Sequence, residues 1–76
     1  MTKEEAVTRT AKGIWNNISK YITERIEDEC DNGEFETRVC TSKLTDIDKI
    51  RLMLLGYKIE LDDTDTFYHE YIISWH

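Results

Sequence analysis

A chain of 76 residues, 39% apolar and 34% charged, with no proline and three glycines, has room for one domain over residues 1–76 and none for a second, cofactor-binding unit. A net charge of −6 argues against the basic patch that phosphate contact needs, so a basic partner is expected rather than nucleic acid itself. No stretch approaches the ~20 apolar residues of a membrane span, and MTKEEAVTRT at the N-terminus has no apolar leader core, so a cytoplasmic location is expected.

Thr2-Lys3-Glu4-Glu5 reads as a capping box, in which Thr2 caps the first turn and Glu5 reaches back. Val7, Ala11, Ile14, Trp15, Ile18, Ile22 and Ile26 then recur in steps that mark one helical face. The spacing predicts a helix to about Asp31, stopped by Asn32-Gly33. At 1.5 Å per residue it would be ~42 Å long, against about 30 Å for a compact domain of this size. Either it breaks, with Gly13 the obvious place, or it projects. A projecting end carrying Val7, Ala11 and Trp15 would seek a second subunit, which favours a homodimer. Trp15 and Tyr21 read as either core or dimer contacts.

The end of this helix is acidic. Residues 24–36, ERIEDECDNGEFE, hold seven carboxylates and one arginine, and residues 60–76 hold five carboxylates with no lysine or arginine. The intervening residues 37–59 are net basic. Glu24/Glu27, Glu24/Asp28 and Glu27/Asp31 are like charges at helical contact spacing, each unfavourable by a few tenths of a kcal/mol. They also sit at the negative end of the helix dipole, at a further ~0.3–1 kcal/mol at low salt. A sequence that tolerates this has either a solubilising face or a binding surface.

EFETRVCT, residues 34–41, alternates Phe35, Thr37 and Val39 against Glu34, Glu36 and Arg38, the pattern of a half-exposed strand. TDIDKIRLMLLG predicts a second helix, with Thr45 as cap, Asp46 and Asp48 in its first turn, Gly56 at its end, and Ile47, Ile50, Leu54 and Leu55 as the buried face. YKIEL, residues 57–61, predicts a strand with Tyr57, Ile59 and Leu61 inward. DDTD, residues 62–65, is a turn, and TFYHEYIISW, residues 66–75, is a third strand. The order α-β-α-β-β gives an α+β fold. Its expected form is a three-stranded mixed sheet of order 1-3-2 with two helices on one face.

No constellation points to catalysis. Ser19, Ser42 and Ser74 lack a nucleophile-elbow setting, His69 and Glu70 are strand neighbours that diverge, and no glycine-rich phosphate loop exists. Cys30 and Cys40 lack CxxC spacing and read as reduced thiols; with His69 and His76 they match no usual zinc spacing. LDDTDT, residues 61–66, lacks the glycine of a calcium loop. Phe67, Tyr68, Tyr71 and Trp75 are not interleaved with basic residues, which argues against a single-strand nucleic-acid platform. A non-enzymatic chain without metal or cofactor is expected.

DNGEFETRVC…LTDIDKIRLMLLGYKIE…EYIISWH resembles small acidic bacteriophage-encoded proteins of host takeover, over roughly residues 20–76. The landmarks are Gly33, Leu55-Gly56-Tyr57 and Ile73-Ser74-Trp75. One such protein is a dimeric DNA mimic that inhibits the bacterial histone-like protein HU. The resemblance implies a DNA mimic in the host bacterial cytoplasm that blocks DNA binding by an HU-like nucleoid protein. The surface presented would be Glu24, Glu27, Asp28, Asp31, Glu34 and Glu36, with Asp62, Asp63 and Asp65. Two alternatives stay open. One is a phage accessory or structural dimer whose acids only solubilise it. The other is an inhibitor of a different host enzyme, such as RNA polymerase.

Overall fold

The long apolar run makes two helices, because the chain leaves the helical path at Asn17. A computed structural model describes residues 1–64, 67 and 69–76. Its elements are α1 (Lys3–Asn16), α2 (Lys20–Asp31), β1 (Glu36–Cys40), a 3-10 turn (Thr41–Lys43), α3 (Asp46–Leu54), β2 (Lys58–Asp62) and β3 (Glu70–Ser74). Asp65, Thr66 and Tyr68 lie outside the described residues; Phe67 and His69, expected in the third strand, precede β3, which begins at Glu70.

The break falls at residues 17–19 rather than at Gly13, which stays inside α1. Asparagine is a poor helix former because its side chain competes for backbone partners. Here the Asn17 amide donates to the Gly13 carbonyl at 2.8 Å. Ser19 then adopts extended ψ, and α3 holds the joint from outside. The Asp48 carboxylate accepts the Ser19 N–H at 3.3 Å, and Arg51 donates to the Asn17 carbonyl at 2.7 Å. The turn lets Ile18 enter the core while α1 leaves it. Both resolutions of the length conflict therefore occur: the helix breaks and its first half projects. No α1 residue is buried, and the molecule measures 50 × 27 × 19 Å. Its radius of gyration is 13.5 Å, against about 11 Å for a compact chain of this length.

The sheet has the expected order β1-β3-β2, but it is antiparallel throughout, not mixed. β1 and β2 run parallel to each other, as the crossover through α3 requires. β3 returns from β2, lies between them, and is antiparallel to both. Thr37 pairs with Ile73, which pairs with Ile59; Val39 pairs with Tyr71, which pairs with Leu61. These residues share the sheet face that α2 and α3 cover, α2 over β1 and α3 over β2. The core joins Ile22 and Ile26 of α2, Leu52 of α3, Val39 and Ile73 of the sheet, and Ile18 and Leu44 from the connections. Trp15 stacks on Tyr57 at 6.3 Å, and Tyr57 meets Trp75 edge-on at 6.0 Å, so Trp15 packs against this core. Phe35 and Leu61, expected inward, lie beyond the helix cover and stay exposed.

Thr2 and Thr45 cap α1 and α3 as expected, accepting N–H groups three residues on. Gly33 and Gly56 have φ of 77° and 93°. Glu34 and Tyr57 donate backward to Glu29 and Leu52, so α2 and α3 both end in Schellman motifs, which need a residue tolerant of positive φ.

α3 reverses its expected orientation. Leu52 and Asp48 are buried and Leu55 is partly so, whereas Ile47, Ile50 and Leu54 face solvent. Asp48 turns inward to reach Ser19, and the helix rotates with it. LMLL, residues 52–55, is apolar around most of the helical circumference, so either orientation buries leucine.

Candidate acidic partner surface

The carboxylates of α2 follow from its packing. Ile22 and Ile26 fix the inward direction. At 100° per residue, Glu24, Glu27 and Asp31 then fall opposite it, within about 60° of one another and rising ~4.5 and ~6 Å along the axis. Asp28 flanks that row. All four are exposed. Glu24 alone has a counter-charge on the helix, Lys20 at 3.7 Å, and no basic residue stands in the last turn. Glu34 follows just past the Gly33 turn, also exposed.

The other acids go elsewhere. Thr37 and Val39 point under the helices, so Glu36 points to the opposite, open sheet face. Asp62 shares that face, because it pairs with Glu70 opposite Cys40. Arg38 donates to Asp62 at 2.6 Å, and Thr64 supplies a hydroxyl bond at 2.8 Å and a backbone N–H. The Arg38 hydrogen bond first, and those from Thr64 next, hold the Asp62 carboxyl down at about 2. The Arg38 guanidinium is raised in turn, chiefly by Asp62, with Glu70 and Glu36 contributing charge. Glu36 and Asp62 thus surround one arginine on the side away from α2, and one flat partner cannot meet them and the α2 row together. Asp63 is exposed after β2, and Asp65 lies outside the described residues. The carboxylates grouped by sequence thus separate: Glu24, Glu27, Asp28 and Asp31 form the α2 row, Glu36 and Asp62 gather at Arg38, and Glu34 lines a hollow with Glu29 and Glu36.

Arg25 has a structural use beside this surface. Its guanidinium donates to the Arg38 carbonyl at 2.8 Å. That carbonyl points out of the sheet, since Phe35 and Thr41 carry the bonds to β3 on alternate residues. The contact covers part of the free β1 edge. Arg25, Glu29, Glu34, Glu36, Thr37 and Arg38 line a hollow of about 350 Å³, and the buried Thr37 hydroxyl beside it has no hydrogen-bond partner among the described residues.

The residues expected at a dimer contact separate similarly. Val7 is exposed, Ala11 is half-buried, and both line a groove against α3; Trp15 faces the core instead. Sequence reasoning missed the partner half of that groove, α3's outer face. Its signal was LMLL, four apolar residues that no single helix face can hold.

Among the described residues, no group of three or more His, Cys, Asp or Glu side chains is placed to hold a metal ion. No helix among them is long and apolar enough to cross a membrane. No family model matches the chain, and neither a curated protein nor a solved structure matches it.

Proposed function

We propose that the chain is a non-enzymatic binding protein of the DNA-mimic type. Its α2 face engages the DNA-binding surface of a basic nucleoid protein of the HU kind and blocks access to DNA. One observation carries this reading. Glu24, Glu27 and Asp31, with Asp28 beside them, form an exposed row that runs into the last turn of α2, where the dipole opposes Asp28 and Asp31, and among the described residues its one ion pair is Glu24 with Lys20. A basic surface supplies the missing counter-charge, and complementary fields predict fast, salt-sensitive association. Glu34, Glu36, Asp62 and Asp63 are not needed at the same contact.

The test is competition with duplex DNA in a mobility-shift assay on purified HU. The parent chain should release the DNA. A variant with lysine at positions 27, 28 and 31 should not, and binding that survives this triple reversal would sink the reading.

A second reading has its own observation. The exposed apolar face of α3 favours an accessory or structural dimer held by apolar surface, with acids that only solubilise it. Under it, charge reversal on α2 leaves function intact. Inhibition of another host enzyme, such as RNA polymerase, through the same acids is separated from the first reading by pull-down from bacterial lysate at low and high salt.

A further inference from the structure

α3 turns the wrong side outward for a free monomer. Ile47, Ile50, Met53 and Leu54 on its outer face are each 57–68% exposed, and Val7 on α1 is 60% exposed. At 100° per residue the four α3 side chains cover one continuous third of the helix, opposite the buried Leu52. Leu54 also lines a groove of about 320 Å³ between α3 and α1, with Val7, Ala11 and Ile14 on the other wall. Ridge and groove are thus one surface joined at Leu54.

We propose that a second copy of this chain covers that surface, forming a two-fold dimer through α1 and the outer face of α3. Three arguments favour a second copy. The first is area: five side chains open by about 100 Å² each give ~500 Å², near the top of the range for the largest apolar patch on a monomer. Two copies face to face bury ~1,000 Å² from these side chains alone, which reaches the threshold of a specific interface before any rim is counted. The second is shape. A surface with a ridge beside a groove is self-complementary, because a two-fold axis near Leu54 sets each copy's ridge against the other's groove. The third is charge. The chain carries −6, yet α1 has three basic against two acidic side chains and α3 has two of each. The charge that makes two copies repel lies elsewhere, so this face is where an acidic protein can meet itself. It is also a poor match for a strongly basic partner. A second copy accounts as well for α1, a 14-residue helix with no buried residue, of a length marginal in water without packing.

Sedimentation velocity of the purified chain at micromolar concentration tests this directly. The expected mass is twice the 9.1 kDa protomer, falling to one on dilution. Leu54→Glu and Ile50→Glu should each raise the dimer dissociation constant at least tenfold while far-ultraviolet dichroism stays folded. Phe35→Glu, an exposed apolar site outside the patch, should leave the dimer intact. Should a glutamate variant unfold, hydrogen exchange on the parent decides: α1 amides should be protected at high concentration and not after dilution. A parent that stays monomeric at 100 µM overturns the proposal and turns this face to a different protein. So does a dimer that persists in the folded Leu54→Glu and Ile50→Glu chains, or α1 protection independent of concentration. None of these outcomes depends on what α2 binds.

Discussion

The carboxylate of Asp48, near the start of α3, accepts the backbone N–H of Ser19, at the start of α2, across 29 positions of sequence. Asp48 is 4% exposed, and Arg51 lies 3.8 Å from the same oxygen while its guanidinium holds the Asn17 carbonyl. One turn of α3 therefore sets the angle at which α1 leaves α2. Asp48→Ala strands the Ser19 N–H and Arg51 and should destabilise the fold by about 1–3 kcal/mol in urea denaturation. Asp48→Asn keeps an acceptor and should lose less. Exchange at the Ser19 amide should rise in the alanine variant first; equal losses in both variants would deny the hydrogen bond its role.

The α2 row predicts opposite effects on stability and on binding. Glu27→Lys and Asp31→Lys each remove like-charge contacts and place a cation near the negative end of the helix dipole. Each should stabilise the isolated protein by ~0.3–1 kcal/mol at low salt, and the gain should shrink as the Debye length falls. The same variants should lose competition with DNA for HU. Denaturation midpoints at two salt concentrations, with the mobility-shift assay, check both halves. A variant that gains stability and keeps full competition assigns the acids to solubility alone.

Much of this architecture was legible because local rules agreed. Thr2 and Thr45 cap, Asn32-Gly33 and Gly56 stop, and Thr37-Arg38-Val39 alternates; each is decided within a few residues. The strand order followed from chain connectivity, since a third strand returning from β2 can fill the gap the crossover leaves. What misled was long-range. The break at residues 17–19 is fixed by Asp48 and Arg51, about thirty residues away, which no local pattern reveals. The orientation of α3 turned on the same buried Asp48, a residue type seldom fully buried unless partnered. The acidic tracts merged in sequence because alternation along β1 was not carried into three dimensions. Once Thr37 and Val39 are inward, Glu36 must leave the α2 side.

Asp62 predicts an acid limb of stability. Its folded carboxyl titrates at about 2, below the ordinary 3.8, because Arg38 and Thr64 bond the charged form. A depressed carboxyl contributes stability that is fully present above its unfolded value and is lost as pH falls through the folded one. The contribution should therefore be intact at pH 5 and decline between about pH 4 and pH 2. Asp62→Asn should lower stability at pH 6 and flatten the decline over that window. Chemical denaturation from pH 2 to pH 6 reads both, and a variant curve parallel to the parent's would assign the acid limb to other carboxylates.

Gly13 separates the stability of α1 from that of the core. A Cβ built there meets nothing within 4 Å, and the residue stays helical although glycine is a weak helix former. Gly13→Ala should strengthen α1 by ~0.8–1 kcal/mol, the propensity difference. α1 contributes no buried side chain, so the gain should appear locally, as roughly four- to fivefold greater protection of α1 amides, with little change in the urea midpoint. Gly33→Ala and Gly56→Ala should act with the opposite sign and on the whole fold, since both sites hold positive φ at Schellman turns and the strain is about 1–2 kcal/mol. Residue-resolved hydrogen exchange beside urea denaturation distinguishes the two behaviours. A Gly13→Ala chain whose global midpoint rises by the full propensity difference would show α1 unfolding together with the sheet rather than ahead of it.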